Sequence, residues 1–158
     1  MTPCPPVLVL AAGNPSRGDD ALGPSFAEAV RVAYAEDVQA GRLEVLWDFQ
    51  LNVEHALDLV GRRQVLFVDA SLDAPAPYAF GSVAPAADRS FTSHALTPPA
   101  VLETYARVAR DPPPPCALLA IRGERFELGE PLSAGARAHL DEALRFFGAW
   151  WSRRRDAG

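Results

Sequence analysis

The chain has 158 residues, 49% of them hydrophobic and 22% charged, with a formal net charge of −5 at pH 7. That length supports one domain with a real core, needing neither disulfides nor a structural metal, and the composition excludes a disordered or membrane-embedded chain. The acidic balance argues against nucleic acid, whose phosphates need a clustered basic surface; the one dense basic run, Arg153-Arg154-Arg155, reads as a solvated helix end complementing the helix dipole.

In chain order, Val7-Leu8-Val9-Leu10-Ala11 predicts a fully buried strand. It is too short to span a bilayer, and no charged stretch precedes it, so no export, no membrane contact and a cytoplasmic location are expected. A turn-rich loop from Gly13 to Gly18 follows. Leu22, Phe26, Val30 and Tyr34 then recur at helical spacing, with Pro24 in the first turn, where its missing donor is harmless. Leu43-Glu44-Val45-Leu46-Trp47 predicts a second strand, and Asn52 caps a short helix on which Val53, Leu57 and Val60 face one way.

Gln64 to Asp69 is apolar and β-branched, predicting a third strand in the centre of the sheet. Tyr78 to Val83 alternates among prolines and predicts an edge strand. Residues 84 to 97 read as a long irregular connection, of the kind that is usually functional when ordered. A helix from Pro98 to Arg110, a stop at Pro112 to Pro115, a buried strand Cys116 to Ile121 and a helix from Ser133 to Trp151, with Leu140, Leu144, Phe147 and Trp151 on one stripe, complete the pattern. This alternation predicts the α/β class: a three-layer α/β/α sandwich around a mostly parallel, twisted sheet of about five strands, one of them antiparallel at the edge. No repeat or linker divides it, so residues 1–158 are expected to form a single domain. Cys4 and Cys116 make no C-x-x-C pair and are expected to be reduced, structural thiols.

Open α/β sheets bind ligands beyond the carboxyl ends of their strands. Asp19 and Asp20 follow the first strand, Asp48 ends the second and Asp69 the third, while His94 sits in the long loop that can swing over the same rim. Two carboxylates with a neutral imidazole suit nickel, zinc, cobalt or iron better than magnesium or calcium. Each residue also has a plainer reading. Asp19 or Asp20 at a helix start satisfies free amides and the dipole, and Asp19 in particular reads as a cap or loop brace. Asp69 reads equally as a turn residue, and His94 as a satisfied loop histidine.

Other chemistries have less behind them. The Gly13–Gly18 loop matches neither G-x-G-x-x-G nor G-x-x-x-x-G-K-[ST], there is no G-x-S-x-G elbow, and no H-E-x-x-H pair occurs. Cys116 lies inside an apolar strand and reads as core rather than as a thiolate nucleophile; His55 and His139 read as surface or packing residues. The residues alone therefore leave open a metal site, an α/β nucleotide- or flavin-binding module using Gly13 to Gly18 as an anion cradle, and a small hydrolase with resident zinc.

Three elements in order carry a family resemblance: the first strand leading into Gly13-Asn14 and the pair Asp19-Asp20 ahead of Gly23; the strand ending in Asp69-Ala70; and Ser93-His94 opening a helix. With these the chain resembles the [NiFe]-hydrogenase maturation endopeptidases, which trim the C-terminal extension from the hydrogenase large subunit, over nearly its whole length. The resemblance implies a phosphorylase/hydrolase-like sandwich, metal contact and catalysis at Asp20, Asp69 and His94, and substrate contact at Asp48 and Asn14. It also implies a large-subunit precursor as partner, a monomeric enzyme, and nickel that arrives in the client instead of residing as a cofactor. Gln50-Leu51-Asn52-Val53-Glu54 is similar to members serving cofactor-linked cytosolic hydrogenases. The chain departs from the family in having Asp20 where many members have glutamate, Ala11 for the first glycine of a G-x-G-N turn, and Ala21 for a frequent glycine; none of these removes a ligand.

Overall fold

Apolar runs with no polar alternation need cover on both faces, and the computed structural model of the protein, which describes residues 3–87 and 96–157, gives them that cover. Strands β1 (Val7–Ala12), β2 (Leu43–Asp48), β3 (Gln64–Ser71), β4 (Tyr78–Val83) and β5 (Cys116–Arg122) form one sheet in the order β2-β1-β3-β5-β4. All pairings are parallel except β4 with β5, so the alternating Tyr78–Val83 run is the antiparallel edge and β3 is the central strand, as the sequence predicts. No helix among the described residues is long and apolar enough to cross a membrane.

Side-chain alternation divides the core into two layers. Val7, Val9, Ala11, Leu66, Val68, Leu119 and Ile121 pack against α1 (Leu22–Ala33) and α4 (Ala134–Ala157), where Phe26, Phe147 and Trp150 are fully buried. Phe26 and Tyr34 both meet Phe147 edge-on, a geometry aromatic quadrupoles favour. On the other face Leu8, Leu10, Ala12, Val65 and Phe67 pack against a 3-10 segment, Val53–Leu59, and α3 (Pro98–Ala109). Thr97 caps α3, its hydroxyl accepting from the Ala100 amide, with proline in the first turn.

Two local readings are corrected and one element is added. Val53, Leu57 and Val60 do not face the core: all three are more than half exposed, and His55, Ala56 and Leu59 are buried instead. The segment winds with three residues per turn, which aligns Ala56 with Leu59 and turns Leu57 and Val60 outward, while Val53, on the line of Ala56, is exposed at the segment's first position. The helix after the first loop breaks at Tyr34, and a short α2 (Ala35–Gln39) follows; its Asp37 is buried, accepting from Arg42 Nε at 2.8 Å and from Trp151 Nε1 at 3.0 Å. The last helix runs on to Ala157 and does not stop at Trp151. Both cysteines are free, and burial pushes the Cys116 thiol up to about 12, which keeps it a protonated core residue.

The turn from β1 into α1 has no room for side chains at two glycines. A Cβ at Gly23 would lie 2.1 Å from the Ala12 carbonyl oxygen, and one at Gly13, whose φ is +151°, would lie 2.0 Å from that of Asp20. Both obstacles are backbone, so neither yields by a rotamer change. Gly23→Ala is expected to destabilise the fold by about 3 kcal/mol in urea unfolding; a loss below about 0.5 kcal/mol would mean that α1 is not seated this closely on the strand end.

Candidate functional site

Strand register brings the acidic residues together. Ala12 of β1 lies opposite Asp48 of β2. On its other side Ala11 pairs with Val68 of β3, so Asp69 follows at the level of Ala12. Asp48 and Asp69 share alternation with Leu46 and with Val65 and Phe67, whose side chains lie in the layer of the 3-10 segment and α3, so both carboxylates emerge from that face. Asp20 reaches the same place from the loop after β1. Asp20 and Asp69 line one cleft of about 250 Å³ together with Gln50, Leu51 and Leu96. Asp20 also lines the adjoining outer depression with Asn14 and Asp48.

Each acidic residue is held differently. Asp20 Oδ2 accepts the Asn14 amide at 2.8 Å, while the Asn14 side chain accepts from the Ser16 amide at 2.9 Å, so the two residues close the loop on each other. Asp69 Oδ1 accepts its neighbour Ala70's amide at 2.8 Å. Burial, only partly offset by that bond and reinforced by the nearby Asp20 charge, pushes Asp69 up to about 7. Near neutral pH Asp69 therefore stands between its protonated and ionised forms, an arrangement able to exchange a proton with a substrate or to take up a cation that relieves the repulsion.

Asp19 turns the other way. It is completely buried and accepts four hydrogen bonds: the amides of Glu124, Arg125 and Ser133 at 2.8, 3.0 and 2.7 Å, and the Ser133 hydroxyl at 2.8 Å. Burial opposes its ionisation, yet these donors hold its carboxyl below the usual carboxylate range. Of the cap and brace readings, the brace is the one observed: neither the 3-10 turn Gly18–Ala21 nor α1 has a side-chain N-cap.

Asp48 is exposed and folds back on its own strand end, Oδ1 accepting the Phe49 amide at 2.7 Å. Its Oδ2 lies 3.5 Å from His55 Nε2. The buried His55 accepts the Asn52 amide on Nδ1 at 2.9 Å, so the neutral ring carries its proton on Nε2, toward Asp48. His55 is thus more than packing: it completes a capping box with Asn52, the residue the sequence reading marked as the cap, and bears on the rim carboxylate. The spacing N-x-x-H was the available signal, since a capping box joins the cap to its third following residue.

His94 lies outside the described residues, as does most of the predicted connection, 88–95. Leu96, two positions after it, lines the cleft beside Asp69, and its amide donates to the Leu51 carbonyl at 2.9 Å. Among the described residues no group of three His, Cys, Asp or Glu side chains is arranged to hold a metal ion.

No protein-family model matches the chain, and no curated protein sequence matches it. Solved structures do. The hydrogenase maturating endopeptidase HybD from Escherichia coli superposes with a TM-score of 0.68 at 21% identity, covering 96% of this chain and 93% of that one. An endopeptidase from Escherichia coli solved in solution gives 0.67 at 21% identity over 89% and 88%. The [NiFe] hydrogenase maturation protease HycI from Thermococcus kodakarensis gives 0.65 at 19% identity, again over 89% and 88%. The predicted sandwich is thus an architecture shared end to end with these proteins.

Neighbouring aspartates should respond oppositely to mutation and pH. Asp19→Ala strands buried amides and is expected to cost at least about 3 kcal/mol at pH 7 by denaturant titration. Because the folded chain ionises Asp19 more readily than the unfolded one, its contribution is present above pH 3.8 and is lost as pH falls below that value. Asp69 has the opposite sign. The unfolded chain releases its proton near 3.8 and the folded chain near 7, so ionisation above that range works against folding. Asp69→Asn should therefore melt higher than wild type at pH 8, with the difference fading through pH 7 and vanishing below about 4. Equal melting temperatures across that range would show that Asp69 is not shielded from water.

Proposed function

We propose that this protein is an endopeptidase that removes the C-terminal extension from the large-subunit precursor of a [NiFe] hydrogenase after nickel has been inserted, with Asp20, Asp69 and His94 reading the metal. The observation that carries the reading is the pairing of Asp20 with Asp69 in one cleft at the carboxyl ends of β1 and β3, on a fold shared along nearly the whole chain with maturation endopeptidases. Two carboxylates in a small cleft disfavour an anionic ligand there, which weighs against a nucleotide or flavin at this rim.

Nickel enters this scheme as cargo of the client. Two aspartates in one small cleft, where burial and the Asp20 charge raise the proton affinity of Asp69, bind a bare peptide poorly, and a dication placed between them relieves their repulsion. Metal in the precursor then contributes binding free energy that an empty precursor lacks, so cleavage is conditional on correct loading. Asp69, with its raised proton affinity, is the group suited to accept a proton from the attacking water. In this reading the client's tail runs along Asp48 and Asn14, which line the depression next to the cleft, and the connection 84–97 takes part in choosing the client.

Mass measurement of a nickel-loaded large-subunit precursor, incubated with purified protein, tests the reading. Asp20→Asn, Asp69→Asn and His94→Ala should each slow the loss of the C-terminal segment by about a hundredfold or more, and nickel-free precursor should stay intact. Processing at the wild-type rate by the Asp20 and His94 variants would overturn the site, and equal processing of empty precursor would overturn nickel recognition. Protein purified without added metal should contain far less than one zinc per chain; stoichiometric zinc would point to a resident-metal hydrolase.

A further inference from the structure

The end of the sheet opposite the acidic cleft carries the other sign of charge. At the amino ends of the strands Arg42, just before β2, and Arg63, just before β3, meet Arg153, Arg154 and Arg155 from the end of α4 around an open cavity of about 330 Å³. Pro6 and the methylene stems of the arginines supply its apolar wall, with the largely buried Val7 and Trp151 behind them. This gathering of five guanidinium groups stands on a chain whose net charge is −5.

The protein neutralises only part of it. Asp37 takes Arg42 at 2.8 Å and lies 3.9 Å from Arg155, whose Nε is 3.8 Å from Asp156. Among the described residues Arg63, Arg153 and Arg154 have no carboxylate partner. Arg154 lays its guanidinium over the Trp150 ring at 4.0 Å and donates from Nη1 to the Trp150 carbonyl at 3.1 Å, while its Nε is buried with no acceptor among the described residues. The dipole of α4 accounts for cations in its last turn, but it does not account for Arg42 and Arg63, which arrive from two other elements, nor for the apolar wall between them.

We propose that this cavity is a binding site for a small polyanion with an apolar body, a nucleoside diphosphate being the type. Guanidinium forks take phosphate oxygens in pairs with charge-assisted hydrogen bonds, the wall of Pro6 and the arginine stems takes the body, and the volume suits one small ligand and not a macromolecular surface. The site lies about a strand's length, roughly 17 Å, from Asp20 and Asp69, so it is separate from the acidic cleft.

Isothermal titration of the full chain with ADP, inorganic pyrophosphate and adenosine, in magnesium-free buffer at 0.1 M salt, tests this. One ADP per chain should bind, pyrophosphate about tenfold more weakly and adenosine not measurably. Arg63 and Arg153 are exposed and make no ion pair among the described residues, so the double variant Arg63→Ala, Arg153→Ala should keep the wild-type melting temperature while losing about thirtyfold or more in ADP affinity. It should also show a shallower salt dependence. Absence of saturable binding by either anion would overturn the site, as would unchanged affinity in the double variant. Pyrophosphate binding as tightly as ADP would overturn the apolar half of the assignment, and adenosine binding as tightly as ADP the anionic half.

Discussion

A carboxylate removed from water has to be given back the hydrogen bonds it loses, and in this fold that requirement at Asp19 fixes the site next to it. Its four donors all come from the stretch between β5 and α4. The lacing is mutual: the Gly18 amide donates to the Glu130 carbonyl at 3.0 Å, the Asp19 amide to Arg125 at 2.6 Å and the Gly129 amide to Ser16 at 2.7 Å. Successive residues in a 3-10 turn are rotated by about 120°. Anchoring Asp19 inward therefore turns Asp20 away from that anchor, toward the cleft, where the Asn14 amide holds it. The carboxylate of Asp20 is positioned by the burial of its neighbour, and Gly13 and Gly23 let the loop come close enough for both.

The same topology accounts for the opposite charges at the two ends of the sheet. Where parallel strands alternate with helices, helices start near the carboxyl ends of the strands and finish near the amino ends. The start of α1 therefore brings partial positive charge toward Asp20, and the end of α4 brings partial negative charge toward the arginines. Each rim gathers side chains of the sign its helix ends favour, and each gathers more of them than those ends require. Asp37 binds the basic end together, joining α2, Arg42 before β2 and Trp151 of α4 through one buried carboxylate.

The sheet was legible in the sequence because its signals are long and redundant: uninterrupted apolar runs for β1, β3 and β5, alternation for β4, and a proline stop before β5. Helix ends and short segments were less so. Val53, Leu57 and Val60 form a proper stripe at 3.6 residues per turn, but nothing in one sequence says that this segment winds at three. The extension of α4 beyond Trp151 is masked in the sequence because Arg153 to Arg155 look like a solvated end, whereas Arg154 packs on Trp150 within the helix. The convergence of Asp20, Asp48 and Asp69 was readable from their positions after three strands. The role of His55 was not, because it depends on a side chain turning back to its own cap.

What separates a metal reader from a structural acidic pair is how badly the pair tolerates being empty. Asp69 is pushed up to about 7 first by burial and then by Asp20, so with both groups ionised the cleft is under electrostatic strain that its partial exposure to water relieves only in part. A proton removes that strain by halves; a divalent cation removes it for both carboxylates at once. Under the proposed function this strain is useful, because a client without metal would have to bury its tail against two unrelieved charges, and discrimination then rests on repulsion as much as on coordination. Asp48 extends the same logic outward. Its carboxylate is kept at the rim by the Phe49 amide, faces the His55 ring and shares the outer depression with Asp20 and Arg17, so under the proposed function a metal-bearing client would meet two carboxylates and one guanidinium before the cleft.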